Sequence, residues 1–259
     1  MSEGLEEFRE KLCGCEISIK RKGKGKKVLF LHGGRGAPVW LPFMEELSNK
    51  FELYVPEHPG YGQSDTPEWL DKMEDLGYFY LELIEHFKMQ DIHLVGSSIG
   101  GWIAAEMCIR NTNKIKSLVL AAPAGLSLQR QYGLDPFIST DDEFTRNAFY
   151  DQKLAEGMIN QEVDEAAMDL ILKNKTTGAR LTLNARIYTL QMEKWLFRSR
   201  IPTLIISGSH DNICPLEQSK LFNKKIEGSQ LAIIENCGHL PHVEKKDEYC
   251  DLITNFIME

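Results

Sequence analysis

Apolar positions along the chain follow two rhythms. Short, nearly continuous apolar runs read as strands: Cys15 to Ile19, Lys27 to Leu31, Phe51 to Val55, Ile92 to Val95, Ile115 to Ala121, Thr203 to Ser207 and Gln230 to Ile234. Between them lie stretches with apolar residues at helical spacing, such as Val39 to Lys50 (Trp40, Phe43, Met44, Leu47) and Leu70 to Met89. Strands that are apolar throughout have no water-facing side, so their alternation with helices predicts a mostly parallel central sheet with helices on both faces. The basic, glycine-interleaved segment Lys20 to Lys27 reads as the solvated loop of a hairpin joining the first two strands.

From about Leu126 to Phe197 the alternation stops. Asp142 to Gln152, Asp164 to Lys173 and Leu181 to Trp195 have helical character, with no strand pattern between them. The organisation predicted is an α/β core formed by residues 1–125 and 198–259, with a helical insertion over 126–197. A chain of 259 residues can bury a core of that size.

The formal charge of -8 argues against nucleic acid as a partner. No apolar run approaches the length of a membrane span, and the acidic start Met1 to Glu7 has no apolar signal-peptide region. The six cysteines are scattered, and the single residue between Cys13 and Cys15 suits neither a zinc pair nor a redox pair, so a reduced cytoplasmic protein is expected. No Asp or His cluster has metal-ligand spacing, and no Gly-Lys-Ser/Thr follows the glycines at Gly33 to Gly36. That loop is therefore not a phosphate loop, and neither a metal nor another cofactor is expected.

The chemistry centres on Gly96-Ser97-Ser98-Ile99-Gly100, which follows one strand and opens a helix. A serine on such a turn is pushed out at the top of a sheet, and the flanking glycines avoid a collision within the turn. The amide of Ile99 then lies at a helix N-terminus, free to bind a developing oxyanion. Ser97 is the rival nucleophile, but Val95 and Ile99 stand where its glycines would be needed. A serine hydroxyl requires a base, and the base an orienting acid. Asp211 follows the strand at Ile205-Ile206, and His239 follows the last strand, both at carboxyl ends where active-site groups belong. The order Ser98, Asp211, His239 is the one expected of this architecture. Other readings exist: His210 shares the acid's loop, Asp211 has the position of a helix cap, His242 falls in the next helical turn, and His32 is placed to brace the glycine loop.

Through His32-Gly33-Gly34, Pro59-Gly60-Tyr61-Gly62-Gln63-Ser64, Gly96 to Gly100, Gly208-Ser209-His210-Asp211 and Gly238-His239, the sequence resembles the α/β-hydrolase fold family over nearly its whole length. One departure is Glu57, where members often carry Asp. The resemblance implies that Gly34 supplies a second oxyanion-hole amide beside Ile99, and that the insertion is a cap over the active site. A serine nucleophile argues against the dehalogenase and epoxide-hydrolase branches. The function implied is a carboxylesterase acting on a small to medium, fairly apolar ester. Phe137, Phe144, Phe149, Leu183, Tyr188, Leu190 and Trp195 are candidates to line its pocket, although core packing explains most of them equally well. The alternative is a carbon–carbon bond hydrolase of ring-cleavage products. Those enzymes usually carry tryptophan after the catalytic histidine, where this chain has Leu240, and a cap arginine such as Arg180 or Arg186 is also expected. A ligand receptor of the same fold is the non-catalytic reading.

Overall fold

The computed structural model describes residues 4–128, 133–136, 138–183 and 188–259. Eight strands form one sheet: β1 (Glu6–Leu12), β2 (Cys15–Lys22), β3 (Lys27–Leu31), β4 (Glu52–Pro56), β5 (Ile92–Ser97), β6 (Ile115–Ala121), β7 (Thr203–Gly208) and β8 (Gln230–Ile234). Their order is β1-β2-β4-β3-β5-β6-β7-β8. Pairing is parallel from β4 to β8, while β2 runs antiparallel to both β1 and β4.

The helices α1 (Pro42–Ser48) and α10 (Lys246–Met258) cover one face of this sheet, and α2 (Met73–His86) and α3 (Ile99–Arg110) cover the other. Successive strand residues point to opposite faces. Thus Val28 and Phe30 join the cluster under α1 and α10, whereas Leu29 and Leu31 join the cluster under α2 and α3. Both sets lose water, which explains why the strand is apolar without interruption. Each fully buried Leu or Phe of this kind contributes about 1.5–3 kcal/mol.

The expected hairpin between Cys15 to Ile19 and Lys27 to Leu31 is not formed, because β4 lies between those strands. The hairpin partner of β2 is β1, joined through Cys13 and Gly14, both with positive φ (51° and 76°). Two such residues suit the tight turn that matches strand twist. The polar Glu6–Leu12 is an exposed edge and carries little hydrophobic signal. Nor is the basic segment wholly solvated: Lys20 is buried in β2, and its Nζ donates to the Ala37 carbonyl at 2.9 Å.

Between β6 and β7 the chain forms α4 (Asp141–Ala148), α5 (Gln152–Ile159), α6 (Glu165–Leu183), α7 (Leu190–Trp195) and a 3-10 turn at Leu196–Arg198. Thr140 caps α4 by accepting from the Glu143 amide, while the Glu143 carboxylate accepts from the Thr140 amide. Leu181 to Trp195 is not one helix, since Tyr188 bridges to Gly125 and α7 starts only at Leu190. The helix α5 was not foreseen. Phe137, Arg186 and the side chain of Leu183 lie outside the described residues.

After β7 come α8 (Leu216–Lys225), β8, α9 (Pro241–Glu244) and α10. All six cysteines are free thiols. Among the described residues, no helix is long and apolar enough to cross a membrane.

Candidate active site

Ser98 stands between β5 and α3 with φ 56° and ψ -118°, a backbone region that L-residues rarely adopt. Its own backbone holds it there: the amide donates to Ala121 O, and the carbonyl accepts from Ala124 N and Trp102 N. A Cβ at Gly96 would lie 2.3 Å from Gly100 O, and one at Gly100 would lie 2.0 Å from Leu31 O. Both glycines are therefore required by close backbone approach. Ser98 is partly exposed and Ser97 is buried in the strand end.

The loops after β7 and β8 bring Asp211 and His239 to this serine. His239 Nε2 lies 3.0 Å from Ser98 Oγ, and His239 Nδ1 lies 2.9 Å from Asp211 Oδ2. An ionised carboxylate only accepts, so Nδ1 carries the ring proton and Nε2 is left to accept from the serine hydroxyl. Both His239 and Asp211 are buried. The other oxygen, Asp211 Oδ1, accepts from the amides of Ile213 and Cys214 at 2.8 Å each. Asp211 caps its own loop rather than a helix, since α8 begins only at Leu216.

The loop after β3 passes against the serine: a Cβ on Gly33 would be 3.4 Å from Ser98 Cβ. Gly33 O accepts from Gly36 N at 3.0 Å and lies 2.7 Å from His32 Nδ1. His32 Nε2 accepts from the His58 amide at 3.0 Å, so Nδ1 is the protonated nitrogen and donates to Gly33 O. His58 stacks on His32, its Nε2 donates to His32 O, and its Nδ1 accepts from Tyr80 Oη. Burial pushes the His32 pKa down to about 4 and that of His58 well below the usual histidine range. Among the described residues, neither the Gly34 nor the Ile99 amide is taken up by an acceptor.

The remaining histidines are elsewhere. His210 is exposed, with Nδ1 2.9 Å from Ser209 Oγ. His242 packs against Phe43 and Tyr249, His93 meets Ser117, and His86 pairs with Glu10 at the surface.

The inserted helices are tied to the loops around Ser98. Arg35 donates to Thr145 Oγ1 on α4 and to Met158 Sδ on α5. On α6, Lys173 Nζ donates to Gly62 O and Ser64 O, and Thr177 Oγ1 donates to Gly60 O. Asn174 accepts from Gly62 N and donates to Arg35 O. The His239 amide donates to Ala148 O at the end of α4, and Glu244 on α9 accepts from Gly238, Tyr150 and Asp151 amides. None of these tethers was read from the sequence. Of the expected pocket residues, Phe149 is buried and Phe144 partly so, whereas Leu190 and Trp195 are exposed, the Trp195 ring lying tilted against Phe197. Arg180 is exposed.

A mainly parallel sheet with Ser, Asp and His at the carboxyl ends of three strands defines a class of protein. The alpha/beta hydrolase fold family matches residues 26–164 and 166–246, and the chain belongs to that family. A 2-hydroxy-6-oxo-2,4-heptadienoate hydrolase from Pseudomonas putida is 26% identical, the match covering 94% of this chain and 93% of the relative. A proline iminopeptidase from Lactobacillus crispatus is 25% identical, covering 92% of each. A crystal structure of a membrane phospholipase A, described as a bacterial virulence factor, superposes with a TM-score of 0.80 at 22% identity, covering 98% of this chain and 86% of that one. Hydrolase is the class of activity that the family and these relatives support.

Proposed function

We propose that the protein is a serine hydrolase that cleaves a carboxylic ester of a small to medium, fairly apolar substrate through an acyl-enzyme. The observation that carries this reading is the continuous chain Ser98 Oγ, His239 Nε2, His239 Nδ1, Asp211 Oδ2, with separations of 3.0 and 2.9 Å. In this reading Ser98 Oγ bonds to the ester carbonyl carbon as His239 takes its proton. The carbonyl electron pair moves to oxygen, where the amides of Gly34 and Ile99 receive it, each donor worth a few kcal/mol. Collapse expels the alcohol, protonated by His239. A water molecule, deprotonated by the same ring, then releases the acid and restores Ser98. Asp211 holds the tautomer and stabilises the imidazolium. In this reading the inserted helices, tied to the loops around Ser98, act as a cap.

The test is hydrolysis of p-nitrophenyl acetate and butyrate, with Ser98→Ala as control. Turnover lost in the variant supports the reading; equal inactivity of both proteins on a broad ester panel sinks it. A second reading, cleavage of a 2-hydroxy-6-oxodienoate, is favoured by the Pseudomonas putida relative. A dienoate assayed beside the esters decides between them by kcat/KM.

A further inference from the structure

We propose that Asn174, on the inserted helix α6, is a positioning residue for the oxyanion hole, so that the cap takes part in the chemistry it covers. This rests on the assignment of Ser98 and Gly34 above. Asn174 is buried, and both ends of its amide are used. Oδ1 accepts from Gly62 N at 2.8 Å and Nδ2 donates to Arg35 O at 2.9 Å. One partner is a donor and the other an acceptor, so the orientation of the amide is determined.

The two partners belong to different loops. Gly62 lies in the segment after β4 that also carries His58, and His58 holds His32 in place. Arg35 lies inside the turn Gly33–Gly36, closed by the bond from Gly36 N to Gly33 O. The carbonyl of Gly33 and the amide of Gly34 are two ends of one peptide group, so whatever orients the turn aims that amide. His32 and Gly36 hold the turn from the core side. Asn174 holds it from the cap side, through the next carbonyl but one. The approach is close: a Cβ on Gly36, which has φ +83°, would sit 2.6 Å from Asn174 Nδ2. Among the described residues, Lys173 and Thr177, on the same helix, hydrogen-bond to the 60–64 loop alone, whereas Asn174 joins both loops.

The variants that test this are Asn174→Ala and Asn174→Asp. Aspartate nearly matches the shape and keeps an acceptor for Gly62 N, but sets a carboxylate oxygen against Arg35 O. Both are measured on p-nitrophenyl butyrate and with an alkyl trifluoromethyl ketone. In the ketone adduct Ser98 Oγ bonds to the carbonyl carbon, the serine proton passes to His239, and the electron pair rests on the oxyanion. We expect kcat to fall about 10- to 100-fold in both variants, as for a small misplacement of reacting groups, with KM within about threefold. The inhibition constant of the ketone rises by the same factor as kcat/KM falls. Circular dichroism establishes folding, and should the alanine variant not fold, the aspartate variant is read alone. Unchanged kcat in a folded variant, or a fall in kcat without weaker ketone binding, overturns the role of Asn174 while leaving the serine hydrolase intact. Absence of Ser98-dependent turnover in the unmodified enzyme overturns both.

Discussion

His32 Nδ1 donates to the Gly33 carbonyl at 2.7 Å, and this bond sets the outlook of the Gly34 amide on the far side of the same peptide. Gly36 N bonds to the same oxygen, so both of its lone pairs are engaged and the N–H is turned the other way. Replacing His32 with alanine leaves the His58 amide without its acceptor and removes one of the two bonds to the Gly33 oxygen, which loosens the peptide. We expect kcat on p-nitrophenyl butyrate to fall about 10²-fold, approaching the loss of one oxyanion donor. KM should change little, because the ground-state ester makes weaker use of the hole.

Asp211 divides its work between two oxygens. Oδ1 holds the Ile213 and Cys214 amides, and Oδ2 holds His239. In Asp211→Asn the side-chain oxygen keeps the loop, while the new NH2 faces Nδ1 and drives the ring to the wrong tautomer. The expected fall in kcat is on the order of 10³- to 10⁴-fold. The melting temperature should shift by only a few degrees. A collapse of the fold with full activity in the surviving fraction would count against the assignment.

Acid lability follows from the buried histidines. Burial pushes His32, His93 and His242 down to about 4, and holds His58 well below the usual histidine range. A histidine whose folded pKa lies below the unfolded value of about 6.5 favours the folded state above that value, and the unfolded chain takes up the proton first on acidification. Stability is therefore complete above about pH 6.5 and is lost as pH falls from there through about 4. For His32, which is fully enclosed, the shift corresponds to about 3 kcal/mol. Melting curves from pH 8 to 4 should be flat at first and then fall. In His242→Phe the fall should be shallower, because one group with a lowered pKa is removed, and among the described residues His242 Nδ1 has no partner to lose.

The parts of the site legible in the sequence are those whose signal is local. The turn at Ser98 is a strand end, two glycines and a helix start within a few residues. Asp211 and His239 are each marked by the apolar strand that precedes them. The strand β1 was hidden because an exposed edge strand needs few apolar residues. The helix α5 was hidden because its 8 residues are too few for a helical period to stand out. The tethers were hidden for a different reason. Asn174, Lys173 and Thr177 are separated from their partners by 109 to 139 positions, and before folding they resemble any solvated helix face. Only the packing of α6 onto the loops gives them partners. The same holds for Lys20, whose place in a basic run gives no hint of its buried bond to Ala37.

Glu244 shows what such a tether is worth. One carboxylate oxygen accepts from Gly238 N at 2.8 Å, and the other accepts from Tyr150 N and Asp151 N at 2.9 and 3.0 Å. Gly238 precedes His239, while Tyr150 and Asp151 lead into α5, so one side chain fastens the His239 loop to the inserted segment. No side chain fits at Gly238, where a Cβ would come within 2.5 Å of Ala148 O, so the two backbones meet directly. Glu244→Ala removes the acceptor of three amides at once. Hydrogen bonds to a charged group contribute about 1.5–3 kcal/mol each, and water replaces part of that at this half-exposed site. We expect a loss of about 2–4 kcal/mol, read as a drop in melting temperature of roughly 5 to 15 °C. Glu244→Gln keeps one oxygen and loses the other, so its melting temperature should fall between those of the wild type and the alanine variant. If the tether also holds His239 toward Ser98, kcat should fall in the same order, from wild type to Gln to Ala. A melting temperature unchanged in Glu244→Ala would show that the insertion is held by its other contacts alone.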